Sequence, residues 1–291
     1  MPDVLPALLL GFESVACNYR GFLVDLWGVL HDGRRPYPEA LEVLDRVRRS
    51  GASVCLLSNS PRRISNVAEL LAGMDIGPER YDHLVTSGEM TLEALSNPAD
   101  VWHRSLGNRY LHLGPDHGFG LLDSLDRELV VAPQAADFVL VTGTEKGQVL
   151  ADYAGQLAEC AALGLPMVCA NPDLVVTVAG NTAVCAGTLA RHYEALGGSV
   201  RYHGKPDQAV YSRCLSELGL GPAALLAIGD SLRTDIAGAR ALGMDALFIA
   251  GGIHSHELGV ELDEGLDPGQ IDALLAEYNF RPNFAMNCLR W

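Results

Sequence analysis

Apolar residues in this chain fall into short unbroken runs, alternating with stretches in which they recur every three or four positions. GFLVDLWGVL opens with a run that predicts a buried strand at about residues 21–25. From Pro38 to Ser50 the apolar positions 40, 41, 43, 44 and 47 share one helical face, and Gly51 is a natural stop. ASVCLLSNS reads as a strand and turn, and Pro61 suits the first position of a helix that carries Ile64, Val67, Leu70 and Leu71. HLVTS predicts a third strand and GEMTLEALS the helix after it. This is repeated βα winding, the pattern of a parallel sheet, and ligands of such sheets bind at the C-terminal ends of the strands.

From about residue 97 to 200 the winding is interrupted by a segment with its own strands (RYLHLG, DFVLVTG, PMVCAN, LVVTVAG) and helices (148–163 and 186–196). After Gly197-Gly198 it resumes with a helix over 207–218, the strand AALLAIGD, a helix over 234–242 that ends at Gly243, and the strand ALFIA. The pattern predicts an α/β protein whose doubly wound parallel-sheet core comes from residues 1–96 and 201–291, with an inserted α/β domain over 97–200. The final RPNFAMNCLRW is expected to be an ordered tail that packs its Phe and Trp on the core.

Hydrophobic residues make up 48% of the chain and charged residues 20%, an ordinary globular balance. A formal net charge of −15 argues against a nucleic-acid partner, because binding a phosphate backbone needs a basic face. Any anionic substrate must therefore be held by local positive charge or by a metal. Lys146 and Lys205 are the two lysines, so the setting of each carries information. The seven cysteines form no C-x-x-C pair and sit mostly in apolar runs, as reduced core thiols of a cytoplasmic protein would. The N-terminal MPDVLPALLLGFES carries an acid and no basic residue, unlike a signal peptide, and no apolar stretch reaches membrane-spanning length.

Candidate chemistry gathers at strand ends. Asp25 ends the first strand, shortly before Gly28; Asp230 ends AALLAIGD, with Asp235 following in GDSLRTD. Converging carboxylates make a hard-cation site, and Mg²⁺ in particular takes one or two carboxylates plus water and substrate phosphate. Asp235 is equally suited to cap a helix. Ser58 ends the second strand in LLSNSPRR, where a hydroxyl and backbone N–H groups at a helix start can bind an anion; Ser58 or Asn59 can equally cap that helix. Lys205, in HGKPDQAVY, stands just before another helix as a charge placed for a phosphate.

Taken in order, these motifs resemble those of the haloacid dehalogenase superfamily: VDLWGVLHDG the first, LLSNS the second, HGKP the third and GDSLRTDIAGA the fourth. The order matches over the whole chain. The insertion between the second and third motifs, with the string GVLHDG, resembles the capped branch that contains pyridoxal phosphatase, phosphoglycolate phosphatase and p-nitrophenylphosphatase. The resemblance implies a Rossmann-like core with a cap and hydrolysis of a small-molecule phosphate monoester. It further implies that Asp25 attacks phosphorus to form an aspartyl-phosphate, and that Asp25, Asp230 and the backbone carbonyl of Trp27 hold Mg²⁺. Ser58, the N–H of Asn59 and Lys205 would grip the phosphoryl oxygens, with Asp235 supporting Lys205 and the metal loop. A homodimer through the cap is compatible with this branch.

One position departs from the pattern. The phosphatases carry an acid/base Asp two residues after the nucleophile, where this chain has Trp27, whose indole cannot transfer protons at neutral pH. His31, at the end of the same loop, is the nearest substitute, or else a structural loop residue. The substitution leaves two alternatives: a metal-free 2-haloacid dehalogenase, which also has an aromatic residue there, and a non-catalytic phosphate-binding protein. The retained GDSLRTD carboxylates and the place of the insertion argue against the dehalogenase. In the cap, ANPDLVV resembles the substrate-facing loop of the branch and offers Asn171 and Asp173. His254 and His256 lack a third metal ligand at suitable spacing, and Arg62 and Arg63 read as a solvated helix face beside Ser58.

Overall fold

A computed structural model describes residues 5–115, 120–178, 181–260 and 265–291. Its strands are β1 (Ala7–Leu8), β2 (Gly21–Val24), β3 (Ser53–Ser58), β4 (His83–Thr86), β5 (Arg109–Leu113), β6 (Glu128–Val130) and β7 (Phe138–Val141). They continue as β8 (Met167–Cys169), β9 (Val175–Val178), β10 (Asn181–Val184), β11 (Val200–Tyr202), β12 (Leu225–Gly229), β13 (Asp245–Ile249) and β14 (Phe284–Met286). A seven-stranded sheet has the order β1-β14-β13-β12-β2-β3-β4, a five-stranded sheet the order β11-β8-β7-β5-β6, and β9 and β10 form an antiparallel pair. The chain divides into two compact units, Met1–Ser58 with Ala68–Val85 and Lys205–Trp291, and Asn59–Val67 with Thr86–Gly204. The α/β class with a doubly wound parallel core is borne out.

In the first unit β2 lies between β12 and β3, parallel to both. The chain winds one way through β2, β3 and β4 and the other way through β12, β13 and β14, so the strand order reverses at β2. All four residues of β2 are buried, and a strand covered on both faces reads as an unbroken apolar run. Phe22 anchors it, edge-on to Phe12 at 5.3 Å between ring centroids and to Tyr19 at 6.3 Å. In the second unit, successive side chains of one strand point to opposite faces. Val139 and Val141 join Leu111, Leu157 and Met167 on one face, while Phe138 and Leu140 join Tyr110 and Val168 on the other.

Three elements differ from expectation. The helix expected from Pro61 begins at Ile64, because the Glu89 carboxylate accepts from the Ile64 N–H at 3.3 Å and pairs with Arg63, which holds the preceding residues out of the helix. The helix expected over 234–242 is a single π-helical turn, Leu232–Ile236, running into a short α-helix, Ala237–Ala241. The tail is more than packing: Phe284–Met286 is β14, paired parallel to β13 and β1, and Trp291 lies edge-on to Phe12 at 6.2 Å, under the Arg46 guanidinium. The last two residues of LVVTVAG lie outside the described residues, as do the first four of the chain. No disulfide joins the seven cysteines, five of which are buried. Among the described residues no helix is long and apolar enough to cross a membrane.

Because Phe22 ties β2 to the layer beneath it, Phe22→Ala is expected to destabilise the protein by about 3–5 kcal/mol. Urea unfolding followed by circular dichroism measures this; a change below about 1 kcal/mol would mean that the ring is not an anchor.

Candidate active site

The sheet order brings three chain segments to one edge. Val24 of β2 is in register with Ile228 of β12, and the Asp25 N–H continues the ladder by donating to the Ile228 carbonyl at 2.9 Å. Asp25 therefore leaves β2 beside Asp230, which follows β12, and Ser58 ends β3 on the other side of β2. All three are buried. Asp230 is closely wrapped by backbone: Oδ2 accepts from the Ile253 N–H at 2.7 Å. A Cβ at either Gly28 (φ +73°) or Gly252 would collide with its carboxylate. Gly28 thus serves both the turn and the close approach.

Lys205, 2% exposed, reaches this edge from the segment that precedes the helix Gln208–Leu218. Its Nζ donates to Asp25 Oδ1 at 2.6 Å and to Asp235 Oδ1 at 2.7 Å. The Ser231 N–H donates to the other Asp235 oxygen at 3.3 Å. Burial, then repulsion from Asp25 and Asp235, pushes the Asp230 carboxyl well above the usual range. Asp235 is also raised by burial and by Asp25, against the pull of Lys205. The three Asp residues each offer one oxygen, all within 4.8 Å of one another, and among the described residues they are the one group of three or more potential metal ligands. Three buried carboxylates against one ammonium leave excess negative charge, and the all-oxygen donor set fits a hard dication such as Mg²⁺.

The loop after Asp25 is built around aromatic contact. The Trp27 indole lies where a side chain on Gly33 (φ +88°) would have to go, and it meets His31 edge-on at 5.2 Å. The His31 Nδ1 accepts from the Gly33 N–H at 2.9 Å, which places its proton on Nε2. Burial holds this imidazole down to about 4. His31 is thus a neutral, enclosed ring that shapes the loop.

In the second unit, Asn59 Nδ2 donates to Asp173 Oδ1 at 2.9 Å, and the Asp173 N–H donates to Asn171 Oδ1 at 3.0 Å. These three sequence candidates form one hydrogen-bonded chain. Neither Arg62 nor Arg63 is on a helix. Arg63 pairs with Glu89 at 2.7 Å, and the Arg62 carbonyl accepts from Thr86 Oγ1 at 2.7 Å. His254 pairs with Glu257 at 2.9 Å. Sequence reasoning passed over Gly252 and the Ile253 N–H, for which the pair Gly251-Gly252 was the available signal. It also passed over Tyr211, whose apolar-flanked place in a helix reads as core.

A family model described as haloacid dehalogenase-like hydrolase matches residues 22–125, and a second, HAD-hydrolase-like, matches residues 202–278. The chain is 28% identical to chronophin of Mus musculus over 276 residues, covering 89% of each chain. It is 24% identical to the 5′-nucleotidase YutF of Bacillus subtilis over 245 residues, covering 82% of this chain and 90% of that one. The crystal structure of a haloacid dehalogenase-like hydrolase from Brucella suis superposes with a TM-score of 0.82 at 29% identity, over 98% of this chain and 100% of the other. The chain belongs to the haloacid dehalogenase-like hydrolases, in their capped branch, and is a hydrolase of the phosphatase type.

Lys205→Met tests the electrostatics of the cluster. In protein freed of metal it is expected to lower stability by about 3–5 kcal/mol at pH 7, since buried charges lose their partner. The sign of the pH dependence follows. Without the ammonium, the Asp230 and Asp235 carboxyls of the folded state sit still further above their unfolded values, so the fold takes up protons and the deficit shrinks as pH falls from 7 toward 5. Urea unfolding in EDTA at the two pH values reads this; a deficit that grows on acidification contradicts it.

Proposed function

We propose that the protein hydrolyses phosphomonoesters of small metabolites, with Mg²⁺, through an aspartyl-phosphate on Asp25. The observation that carries this reading is the Lys205 ammonium held between Asp25 and Asp235, with Asp230 alongside, at the C-terminal ends of neighbouring parallel strands. The Lys205 ammonium donates to Asp25 Oδ1 at 2.6 Å, which orients the carboxyl whose oxygen attacks. An Asp25 oxygen attacks phosphorus in line and the ester oxygen leaves; water then attacks the same phosphorus, freeing inorganic phosphate and restoring the carboxylate. The Ser58 hydroxyl, the Asn59 N–H and the Lys205 ammonium donate to the phosphoryl oxygens and offset charge that develops on them. Asp235 keeps Lys205 in place. Asp25, Asp230 and the carbonyl of Trp27 would hold Mg²⁺, which when bound supplies positive charge to the phosphoryl group. Asn171 and Asp173 are assigned as polar contacts to the organic part of the ester, and a panel of phosphate monoesters identifies that part.

With Trp27 packed on Gly33, His31 enclosed and the Asp32 carboxylate accepting from the Arg34 and Arg35 N–H groups, the loop has no acid two residues after Asp25 to protonate a leaving oxygen. Esters of acidic alcohols, whose oxyanions leave unaided, are the favoured substrates under this reading.

Turnover of p-nitrophenyl phosphate should require Mg²⁺ and stop in EDTA. Asp25→Asn should lower it by more than about a thousandfold, and Asp230→Ala should raise the Mg²⁺ needed for half-maximal rate. Metal-independent turnover, or chloride release from a 2-haloacid run alongside, would overturn the proposal in favour of the dehalogenase. Trp27→Asp should raise kcat for alkyl phosphates by about 10- to 100-fold and for p-nitrophenyl phosphate much less, because a restored acid helps only where charge builds on the leaving oxygen. Equal gains on both esters, in a variant shown by its thermal melt to be folded, would mean that protonation is not what Trp27 withholds.

A further inference from the structure

Tyr211 is among the largest fully buried side chains, on the helix Gln208–Leu218 that follows Lys205. Its hydroxyl lies 3.0 Å from the Thr234 carbonyl and 3.0 Å from the Asp235 carbonyl. A phenol carries one proton, so the two carbonyls share it in a three-centre bond. Both belong to the π turn Leu232–Ile236, where the Thr234 carbonyl also accepts from the Ala237 N–H, so the phenol adds a bond from outside the turn to those the turn makes itself. The ring itself is wedged: a Cβ at Gly238, at the start of the next helix, would overlap it. Burial keeps the phenol protonated far above neutral pH.

These contacts close a loop. The backbone runs from Lys205 to Tyr211, Tyr211 grips the main chain at 234 and 235, and the Asp235 side chain returns to Lys205. We propose that Tyr211 is a positioning residue of the active site: its hydroxyl holds the π turn in the register that sets Asp235 against Lys205, and so Lys205 against Asp25. If the turn relaxed to α-helix, the register would shift by one residue, or about 100° around the axis, and the Asp235 carboxylate would swing away from the ammonium. The inference rests on the phosphatase reading for its activity assays, but its hydrogen-exchange readout does not.

The test is Tyr211→Phe, which removes the hydroxyl and keeps the ring against Gly238. A thermal melt and circular dichroism establish that the variant is folded. With p-nitrophenyl phosphate and Mg²⁺, kcat is expected to fall about tenfold with KM within about twofold. In an Asp235→Ala background the same change is expected to cost less than about twofold, because no side chain at 235 then reaches Lys205. Equal losses in both backgrounds, or no loss in the first, would overturn the proposal. Independently of catalysis, exchange of the backbone amides over 230–241 should quicken in Tyr211→Phe while β3 is unchanged. Unaltered exchange in that segment also overturns it. Wild-type protein inactive on every phosphomonoester would defeat the phosphatase reading, and the exchange result would still decide the role of Tyr211 in the turn.

Discussion

The Lys205 ammonium sits 2.6 Å from one buried aspartate and 2.7 Å from another, with a third carboxylate close by. Charges so placed repel each other and forgo hydration, so the surrounding fold has to supply compensation at fixed points. It does so largely with backbone. The Ile253 N–H meets Asp230, the Ser231 N–H meets Asp235, and glycines at 28 and 252 let the main chain come close enough for this. What remains uncompensated suits a dication, and the strand order that reverses at β2 is what gathers the acids in the first place.

How much of this could be read from sequence follows from how each piece is encoded. Buried parallel strands are apolar on both faces, so Gly21–Val24, Ser53–Ser58 and Leu225–Gly229 announce themselves as runs, and the polar residues that end them stand out. Asp25, Ser58 and Asp230 were legible for that reason. The two-residue β1 and the three-residue β14 are too short for any periodicity, and they pair because their partners are already in place. The π turn is hidden because LRTDIAGARA fits an α-helix; the groups that meet the turn, the Tyr211 hydroxyl on its carbonyls and the Lys205 ammonium on the Asp235 side chain, lie elsewhere in the chain. The late start of the helix after Pro61 likewise depends on Glu89, a partner no local pattern points to. The Asn59–Asp173 bond spans 114 residues of sequence, and spacing arguments do not reach that far.

Trp27 shows how one substitution is absorbed. The indole needs a neighbour without a side chain, and Gly33 provides it; His31 turns its edge to the indole and takes the Gly33 N–H on Nδ1. Trp27, His31 and Gly33 therefore form one packed unit, and a change at any of them disturbs the other two. The loop that carries the first motif is held by the indole against Gly33 and His31 and by the Gly33 N–H on the His31 ring.

The chain order of the salt bridge has a further consequence, during synthesis. Asp25 and Lys205 are 180 residues apart, and β2 receives β12 along one edge only after a similar length has been made. At ribosomal rates of about 5–20 residues per second, an interval of roughly ten to forty seconds separates the aspartate from its ammonium. Through that interval an apolar strand is paired on one side at most, and its open ladder is a template for other nascent chains. The nascent chain is therefore most exposed to misassembly before the translation of HGKP and AALLAIGD, and slow codons after that point are less hazardous than slow codons before it.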